Sequence, residues 1–252
     1  MLREERKQQI LDYIIVQKSV QVNELSSILN VSVATIRRDL SEMEEEGLVR
    51  RVHGGAVSLD GFGEPPILQR KNKQSEDKRR IGEAAAGLVE DGETIIITSG
   101  TTTEAMVPYL INKNNLTVIT NAINVAAYLT RYPDISVIVL GGYLRHSEFS
   151  LVGHLTDQAL QDFRAEKIFH GIFGLDPGYG LTGVDMQEVQ TDRRIISAAR
   201  QLIILADHTK FHKVGPIRLA PVEAGSVVVT DREAPKDGVE ALRAKGIQVI
   251  LA

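Results

Sequence analysis

Residues Val31-Ser32-Val33-Ala34-Thr35-Ile36-Arg37-Arg38-Asp39-Leu40 specify the amino-terminal fold. Their apolar positions recur at the period of an α-helix, and the apolar stripe continues to Met43. Ser32 stands directly before this stripe, where a helix N-cap is expected. The sequence therefore predicts a helix with one buried face, whose other faces carry Thr35, Arg37 and Arg38.

Two further helices are predicted upstream of this one, and a β-hairpin is predicted downstream. Gly47 is expected to end the third helix in the left-handed conformation. Residues 48–52 then alternate like a strand, and Gly54-Gly55 turns the chain back. Helix, short helix, turn, helix and hairpin together predict a winged helix-turn-helix. The upstream apolar repeats are Ile10, Leu11, Ile14 and Ile15, then Val22, Leu25, Ile28 and Leu29.

This fold places the start of its third helix in the DNA major groove, where arginine can form two hydrogen bonds with guanine. The alternative is a solvated helix, because Arg37 and Arg38 lie near acidic residues at spacings that allow i,i+4 ion pairs. The formal net charge of −4 does not separate the two, since a local patch makes phosphate contacts. The predicted DNA contacts are Ser32, Thr35, Arg37, Arg38, Arg50, Arg51 and His53.

A longer run of residues carries a family resemblance. Residues 31–40, followed by Glu46-Gly47-Leu48-Val49-Arg50-Arg51-Val52-His53-Gly54-Gly55-Ala56, closely resemble the DNA-binding signature of the DeoR family of bacterial repressors. The resemblance implies binding to double-stranded operator DNA through the third helix and the wing. Two heads on one symmetric operator require at least a dimer. We therefore expect a homo-oligomer, with dimer and tetramer both open.

The chain of 252 residues divides into two parts with different sequence patterns, a charged helical part and a part that alternates helical stretches with short apolar runs. We predict a winged helix-turn-helix over residues 1–57, a Gly- and Pro-rich linker over 58–75, and an α/β domain over 76–252. The absence of cysteine excludes disulfides and fits a reducing compartment. The charged amino terminus does not resemble a signal peptide, and no apolar run reaches the roughly 18 residues of a membrane span. We expect a cytoplasmic protein without a membrane partner.

The carboxyl-terminal part alternates short apolar runs with helical stretches. The runs are rich in isoleucine and valine, which is typical of strands buried on both faces of a sheet. We predict a Rossmann-like α/β domain with a mainly parallel sheet. The predicted strands are residues 94–98, 116–120, 135–140, 168–173, 202–206, 226–230 and 247–251. The predicted helices are residues 78–89, 103–111, 122–130, 186–199 and 237–244.

Polar residues follow several of these strands, at the sheet edge where such domains bind ligands. The sharpest group is Ser99-Gly100-Thr101-Thr102-Thr103, where a glycine permits close approach and a helix start favours an anion such as phosphate. An ordinary threonine-capped turn is the alternative. Cations could neutralise the phosphate and carboxylates could bind sugar hydroxyls, although each charge alone is more typical of a solvated surface. The further candidates are Asn121, Gly142, Arg145, Asp176, Glu188 and Lys210.

The order of these groups resembles the sensor domain of the same DeoR family. That sensor is similar in fold to ribose-5-phosphate isomerase, in which a threonine loop and a later lysine hold phosphate. The resemblance implies that Thr101, Thr102, Thr103 and Lys210 contact a phosphate and that Asp176 and Glu188 face the sugar. The matching groups are Ser99-Gly100-Thr101-Thr102-Thr103, Thr120-Asn121, Gly141-Gly142, Gly174-Leu175-Asp176, Glu188 and Ala206-Asp207-His208-Thr209-Lys210-Phe211.

These features predict a DNA-binding transcriptional repressor of carbohydrate metabolism genes, regulated by a phosphorylated sugar, with no cofactor and no enzymatic activity. One alternative is a sugar-phosphate isomerase fused to a DNA-binding module, with Glu188 as the base. The isomerase's lysine-bearing loop is missing at Tyr179-Gly180-Leu181-Thr182-Gly183, which disfavours that chemistry. A second alternative is a constitutive DNA-binding protein whose α/β domain only oligomerises. His208 and His212 have metal-ligand spacing but no evident third ligand, so no metal site is predicted.

Overall fold

The chain folds into two compact units, residues 1–70 and 71–252. The structure is a computed structural model, and it describes residues 3–17, 19–46, 48–58 and 64–252. The predicted linker, residues 58–75, lies partly outside the described residues. Its later part contains a short helix over Ile67–Arg70, whose Ile67 is buried and whose Gln69 side chain donates to the Leu48 carbonyl.

The amino-terminal unit is a winged helix-turn-helix, as predicted. Three helices pack on an antiparallel sheet of three strands in the order β1-β3-β2. The apolar stripes predicted from the sequence form its core, with Ile10, Leu25, Ile36 and Leu40 buried. Gly47, the predicted helix cap, lies outside the described residues. The elements are α1 (Arg3–Gln17), β1 (Ser19–Gln21), α2 (Val22–Leu29), α3 (Val33–Glu45), β2 (Val49–Val52), β3 (Gly55–Ser58) and α4 (Ile67–Arg70).

The strand β1 was not predicted, because three residues are too few to show a period. It pairs with β3, with Val20 opposite Ala56 and Gln21 opposite Gly55. The approach is so close that a Cβ on Gly55 would overlap with the Val20 carbonyl. The strand β3 of the wing is therefore held on both sides, by β1 and by β2.

The carboxyl-terminal unit contains a sheet of seven strands in the order β15-β14-β12-β9-β4-β5-β6. All seven predicted strands belong to it, and every pairing is parallel. The main elements are α5 (Ser75–Ala86), β4 (Thr94–Ile97), α6 (Thr101–Met106), β5 (Thr117–Thr120), α7 (Ile123–Leu129), β6 (Ser136–Val139), β9 (Ala165–Gly171), α9 (Met186–Ser197), β12 (Ala199–Leu205), β14 (Val227–Thr230), α10 (Lys236–Ala244) and β15 (Gln248–Leu251).

Helices cover both faces of this sheet, which explains why the strands are apolar on both sides. One core cluster joins α5, α6 and α7 to one face, through Ile81, Met106 and Val125. On the other face, Ile195 of α9 packs on Ile168 and its neighbours, and residues of α10 pack further along. Parallel strands in one sheet place all their carboxyl ends at a single edge, so the loops predicted to bind ligand share that edge.

Several short elements outside the main sheet were not predicted. A hairpin of two strands follows β6, a six-residue helix follows the hairpin, and a small antiparallel sheet lies beside α9. Their strands have three or four residues, which is too short for a clear alternation. They are β7 (Tyr143–Arg145), β8 (Ser150–Val152), α8 (His154–Ala159), β10 (Gly174–Asp176), β11 (Gly180–Gly183) and β13 (Ile217–Ala220). Within the described residues, no helix combines the length and apolar character that a membrane crossing requires.

Candidate DNA-binding surface and effector site

The start of α3 is organised by its own side chains. The Ser32 hydroxyl accepts from the Thr35 backbone N–H at 3.2 Å, and the two hydroxyls lie 2.8 Å apart. This is the N-cap predicted from the sequence. It leaves the first turn of α3 at the surface, with both hydroxyls on the side predicted to meet DNA.

Asp39 and Glu42 of α3, and Glu46 directly after it, are held by α1 rather than by the arginines of α3. Asp39 is 1% exposed and accepts two hydrogen bonds from the Arg6 guanidinium, at 2.6 and 3.1 Å. Lys7 Nζ lies 3.1 Å from a carboxylate oxygen of Glu42 and 2.8 Å from one of Glu46. These hydrogen bonds raise the pKa of Arg6, chiefly through Asp39, and the pKa of Lys7, chiefly through Glu46.

Arg37 and Arg38 are exposed, and neither side chain makes a hydrogen bond or ion pair with any residue that the structure describes. The alternative of a solvated helix laced by its own i,i+4 ion pairs therefore does not describe α3. The acids that such pairs need are occupied elsewhere, so two guanidinium groups remain at the surface with all their donors available.

The wing presents the remaining predicted contacts. Arg50 and His53 are exposed, and His53 lies in the turn between β2 and β3. Arg51 already makes hydrogen bonds within the unit: its side chain donates to the Ser41 hydroxyl at 3.3 Å, and its backbone N–H donates to the Glu44 carboxylate at 2.8 Å. These bonds tie the wing to α3 inside one unit.

The threonine loop connects β4 to α6 as the sequence predicted. Gly100 has φ of 145°, which favours glycine, and Thr101 and Thr102 are buried. The Thr103 hydroxyl donates to the Gly100 carbonyl at 2.9 Å, so its proton is used within the loop, and its predicted contact with a phosphate stays a prediction. The hydroxyls of Thr101 and Thr102 remain as candidate donors to an anion.

The other predicted positions are spread along the sheet edge. Asn121 follows β5, the neighbour of the strand that leads into the threonine loop, and Gly142 follows β6, one strand further along. Lys210 ends a short 3-10 helix after β12, which lies on the other side of β9. Asp176 lies in the small sheet, where one carboxylate oxygen accepts from two backbone N–H groups of its own turn, at 2.9 and 2.7 Å.

Arg145 and Glu188 were predicted for opposite ends of the ligand, but the structure pairs them. Arg145 Nη1 lies 2.7 Å from Glu188 Oε2, and Arg145 Nε lies 3.7 Å from a carboxylate oxygen of Asp185. Both predicted partners are mostly buried. The charge of Arg145 is thus balanced by α9 in this structure, and its contact with a phosphate stays a prediction.

Comparison with known proteins establishes the family. Residues 73–232 match the DeoR C terminal sensor domain, and residues 6–61 match the DeoR-like helix-turn-helix domain. The chain belongs to the DeoR family. The predicted resemblance, the fold class and the prediction of a DNA-binding transcriptional repressor are confirmed.

Relatives within the DeoR family align over nearly the whole chain. The Glycerol-3-phosphate regulon repressor of Escherichia coli is 34% identical, over 100% of this chain and 100% of that protein. The HTH-type transcriptional repressor CsqR of Escherichia coli is 33% identical, over 98% of this chain and 94% of its own length. These names are those of transcription regulators, not of enzymes.

Solved structures give a weaker likeness. Ribose 5-phosphate isomerase A from Neisseria gonorrhoeae is 19% identical, with a TM-score of 0.42, over 55% of this chain and 54% of that one. Nothing about function follows from a similarity of this level.

Three polar residues near the sheet edge were missed by the sequence analysis of this DeoR-family chain. His170 lies on β9 and is 2% exposed, Ser150 begins β8 and is fully buried, and Asp192 lies on α9 with its carboxylate 3.9 Å from His170. His170 was the one available signal, since it is a polar residue inside an apolar strand. Ser150 and Asp192 lie in segments without any distinguishing pattern.

The histidines near residue 210 do not pair with each other. Among the described residues, His208, Asp231 and Glu233 form one group with metal-ligand side chains, whose ligand atoms lie within 4.8 Å of one another. Asp231 uses both oxygens for hydrogen bonds, to the His208 backbone and ring and to the Glu233 backbone. His212 lies 3.2 Å from Asp237 instead. The network closes a turn after β14, and we assign no metal to it.

Proposed function

We propose that the protein represses carbohydrate metabolism genes by binding operator DNA through α3 and the wing, and that a phosphorylated sugar regulates this binding. The observation that carries the DNA contact is the division of charges on α3. Asp39 and Glu42 of this helix are paired with α1, while Arg37 and Arg38 stay exposed and unpaired among the described residues. Guanidinium groups in this position suit bidentate contacts with guanine.

A gel-shift titration tests this surface. The probe is a duplex selected by the unmodified protein from a random-sequence pool. The double variant Arg37→Ala/Arg38→Ala should lose at least about 30-fold in affinity, since each base contact contributes about 1–3 kcal/mol. The matched control is Arg3→Ala, which removes a cation of the same unit that pairs with Glu42. Equal losses in the control, or full affinity in the double variant, would refute the assignment.

The effector assignment rests on the sheet edge. Gly100 opens the backbone of the threonine loop, and the hydroxyls of Thr101 and Thr102 lie beside it without bringing a negative charge. Lys210 follows β12 at the same edge and supplies a cation. Hydroxyl groups that donate hydrogen bonds, together with a cation near a glycine, suit the binding of a phosphate group. The relatives include a Glycerol-3-phosphate regulon repressor and a putative aga operon repressor, which supports a carbohydrate role.

Thermal shift measurements identify the effector class. The panel contains inorganic phosphate, several sugar monophosphates and the same sugars without phosphate. A phosphorylated compound should raise the melting temperature, since a ligand that binds only the folded state stabilises it. The variant Thr101→Val should lose the shift, and Thr117→Val, at the opposite end of the neighbouring strand, should keep it. A shift from the unphosphorylated sugars alone would contradict the phosphate site.

We further propose that the protein acts as a homo-oligomer, since paired heads match the symmetry of an operator. Effector binding then shifts the equilibrium between arrangements of the heads, by its differential affinity for them. Light scattering on the purified chain gives the number of protomers, and a monomer at the concentrations that bind DNA would contradict the proposed homo-oligomer.

The isomerase alternative has less support, because Glu188, the base it requires, is paired with Arg145. Incubation with pentose and hexose phosphates, with no turnover expected, separates the two.

A further inference from the structure

One face of the main sheet carries a row of polar side chains just above its apolar core. Ile168, Ile96 and Ile119 lie on the adjacent strands β9, β4 and β5 and belong to one apolar cluster with Ile195 of α9. Since alternate residues of a strand share a face, the residues two positions further on continue this layer. They are His170, Thr98 and Asn121, and each is at most 2% exposed.

Several atoms of this layer and its cover have no hydrogen-bond partner among the described residues. They include Nδ1 of His170, Oδ1 of Asn121 and Oγ of Ser150. A buried polar atom without a partner costs about 1–3 kcal/mol, so a concentration of them at one place requires an explanation. One explanation is a polar ligand that forms hydrogen bonds with these atoms. Their position beside the predicted effector site favours this explanation.

The hairpin β7–β8 joins this layer to the rest of the site. Asn121 holds the hairpin at Leu151: its backbone carbonyl accepts from the Leu151 N–H at 2.7 Å, and its side-chain amide donates to the Leu151 carbonyl at 3.2 Å. In the hairpin, Ser150 pairs with Arg145, which reaches Glu188 of α9. The row is therefore enclosed by the hairpin and by α9.

Burial shifts two titratable groups beside this layer, His170 and Asp192, towards their neutral forms. Burial lowers the pKa of His170 to about 4, so its imidazole is uncharged at neutral pH. Burial, together with the charge of Glu188, raises the pKa of Asp192. The cation Arg145 is balanced by Glu188, with Asp185 and Glu148 also acting on it. No unbalanced cation faces the layer within the part of the chain that the structure describes.

We infer that His170, Ser150 and Asn121 form a subsite that binds the uncharged hydroxyl groups of a monophosphorylated sugar or polyol. This rests on the proposed function, in which the threonine loop holds the phosphate. Hydroxyls can both donate and accept, so they match an imidazole, a serine and an amide oxygen. A second phosphate or a carboxylate would be buried here without a free cation, which is costly. The effector is therefore a compound with one phosphate group and a neutral remainder, and a bisphosphate or a phosphorylated sugar acid is excluded.

Calorimetric titration of the full chain tests this subsite. The probes are inorganic phosphate, the sugar or polyol monophosphate that gives the largest thermal shift, and two compounds with a second anionic group, fructose 1,6-bisphosphate and 6-phosphogluconate. The variants are Ser150→Ala, His170→Leu and His170→Asn, whose amide retains a polar atom near the Nδ1 position. The matched control is Ser226→Ala, a buried serine at the amino end of β14, on the opposite edge of the sheet.

We expect Ser150→Ala and His170→Leu each to lower the affinity for the monophosphate about tenfold, since one hydrogen bond contributes about that factor. Their affinity for inorganic phosphate should not change, which a merely unfolded variant could not show. His170→Asn should recover part of the loss, and Ser226→Ala should bind like the parent protein. The two compounds with a second anionic group should bind more weakly than the monophosphate.

Two results would overturn the inference in different ways. In the first case, the parent protein binds inorganic phosphate and the monophosphate, and Ser150→Ala and His170→Leu bind the monophosphate as tightly as the parent. The subsite is then wrong while the proposed function stands. Tighter binding of either compound with a second anionic group has the same meaning. If the parent protein binds none of the probes, the proposed effector site fails, and the subsite fails with it.

Discussion

Replacing Asp39 by asparagine should destabilise the amino-terminal unit by about 3 kcal/mol. Asp39 is 1% exposed, and its carboxylate accepts two hydrogen bonds from Arg6, whose side chain is 13% exposed. Removing one member of a buried ion pair costs about 3–5 kcal/mol, because the other charge stays buried without compensation. The asparagine oxygen still accepts one hydrogen bond, so the lower end of this range applies.

The assay must report on this unit alone, and hydrogen–deuterium exchange of peptides covering α1 and α3 does so. The matched control is Glu45→Gln, which makes the same chemical change on the same helix. Glu45 is exposed and has no hydrogen bond or ion pair within the described residues, so its replacement should cost less than about 0.5 kcal/mol. Faster exchange in α3 should accompany weaker DNA binding in Asp39→Asn.

Equal protection of α3 in the two variants would refute the reasoning. It would mean that the carboxylate of Asp39 contributes no more than a solvated one, and that apolar packing alone holds α3 on α1. A double variant that also replaces Arg6 by methionine separates the ion pair from the packing. It should be more stable than Asp39→Asn, because no unpaired charge is left.

Three further predictions concern single positions. Gly55→Ala should weaken the pairing of β1 with β3 by at least about 2 kcal/mol, because the added Cβ overlaps with the Val20 carbonyl; exchange of the wing peptides measures it. His170 should contribute a loss of about 1.4 kcal/mol of stability per pH unit as the pH falls from about 6.5 towards about 4, since the unfolded chain takes up a proton that buried His170 with its lowered pKa does not, while the raised pKa of Asp192 acts in the opposite direction. Urea titrations should show that loss absent in His170→Leu. Gly100→Ala should strain a backbone with φ of 145° and reduce the binding of phosphorylated compounds in calorimetry. Gly92→Ala, in the turn before β4 and so at the opposite end of that strand, should leave this binding unchanged.

Elements that depend on local pattern follow from the sequence alone. The stripe from Val33 to Met43 and the cap at Ser32 predict α3 because both signals lie within a few residues of each other. Seven apolar runs predict the seven strands of the main sheet for the same reason, and their isoleucine and valine content indicates helices on both faces. The family resemblance also depends on contiguous residues, so the order of amino acids is enough to reveal it.

The charges that remain available for binding depend on tertiary packing. Asp39 and Arg6 are separated by 33 positions, and no local pattern connects them. Glu42, four positions after Arg38, is likewise held by Lys7 of α1, so Arg37 and Arg38 stay unpaired among the described residues, whereas composition alone left a solvated helix equally open. In the same way, Arg145 and Glu188 meet only because the β7–β8 hairpin and α9 pack together, and this gives the predicted phosphate ligand Arg145 a carboxylate partner that the sequence did not reveal. Ion pairing depends on distances between groups that are remote in the chain, so no reading of neighbouring residues could have settled it.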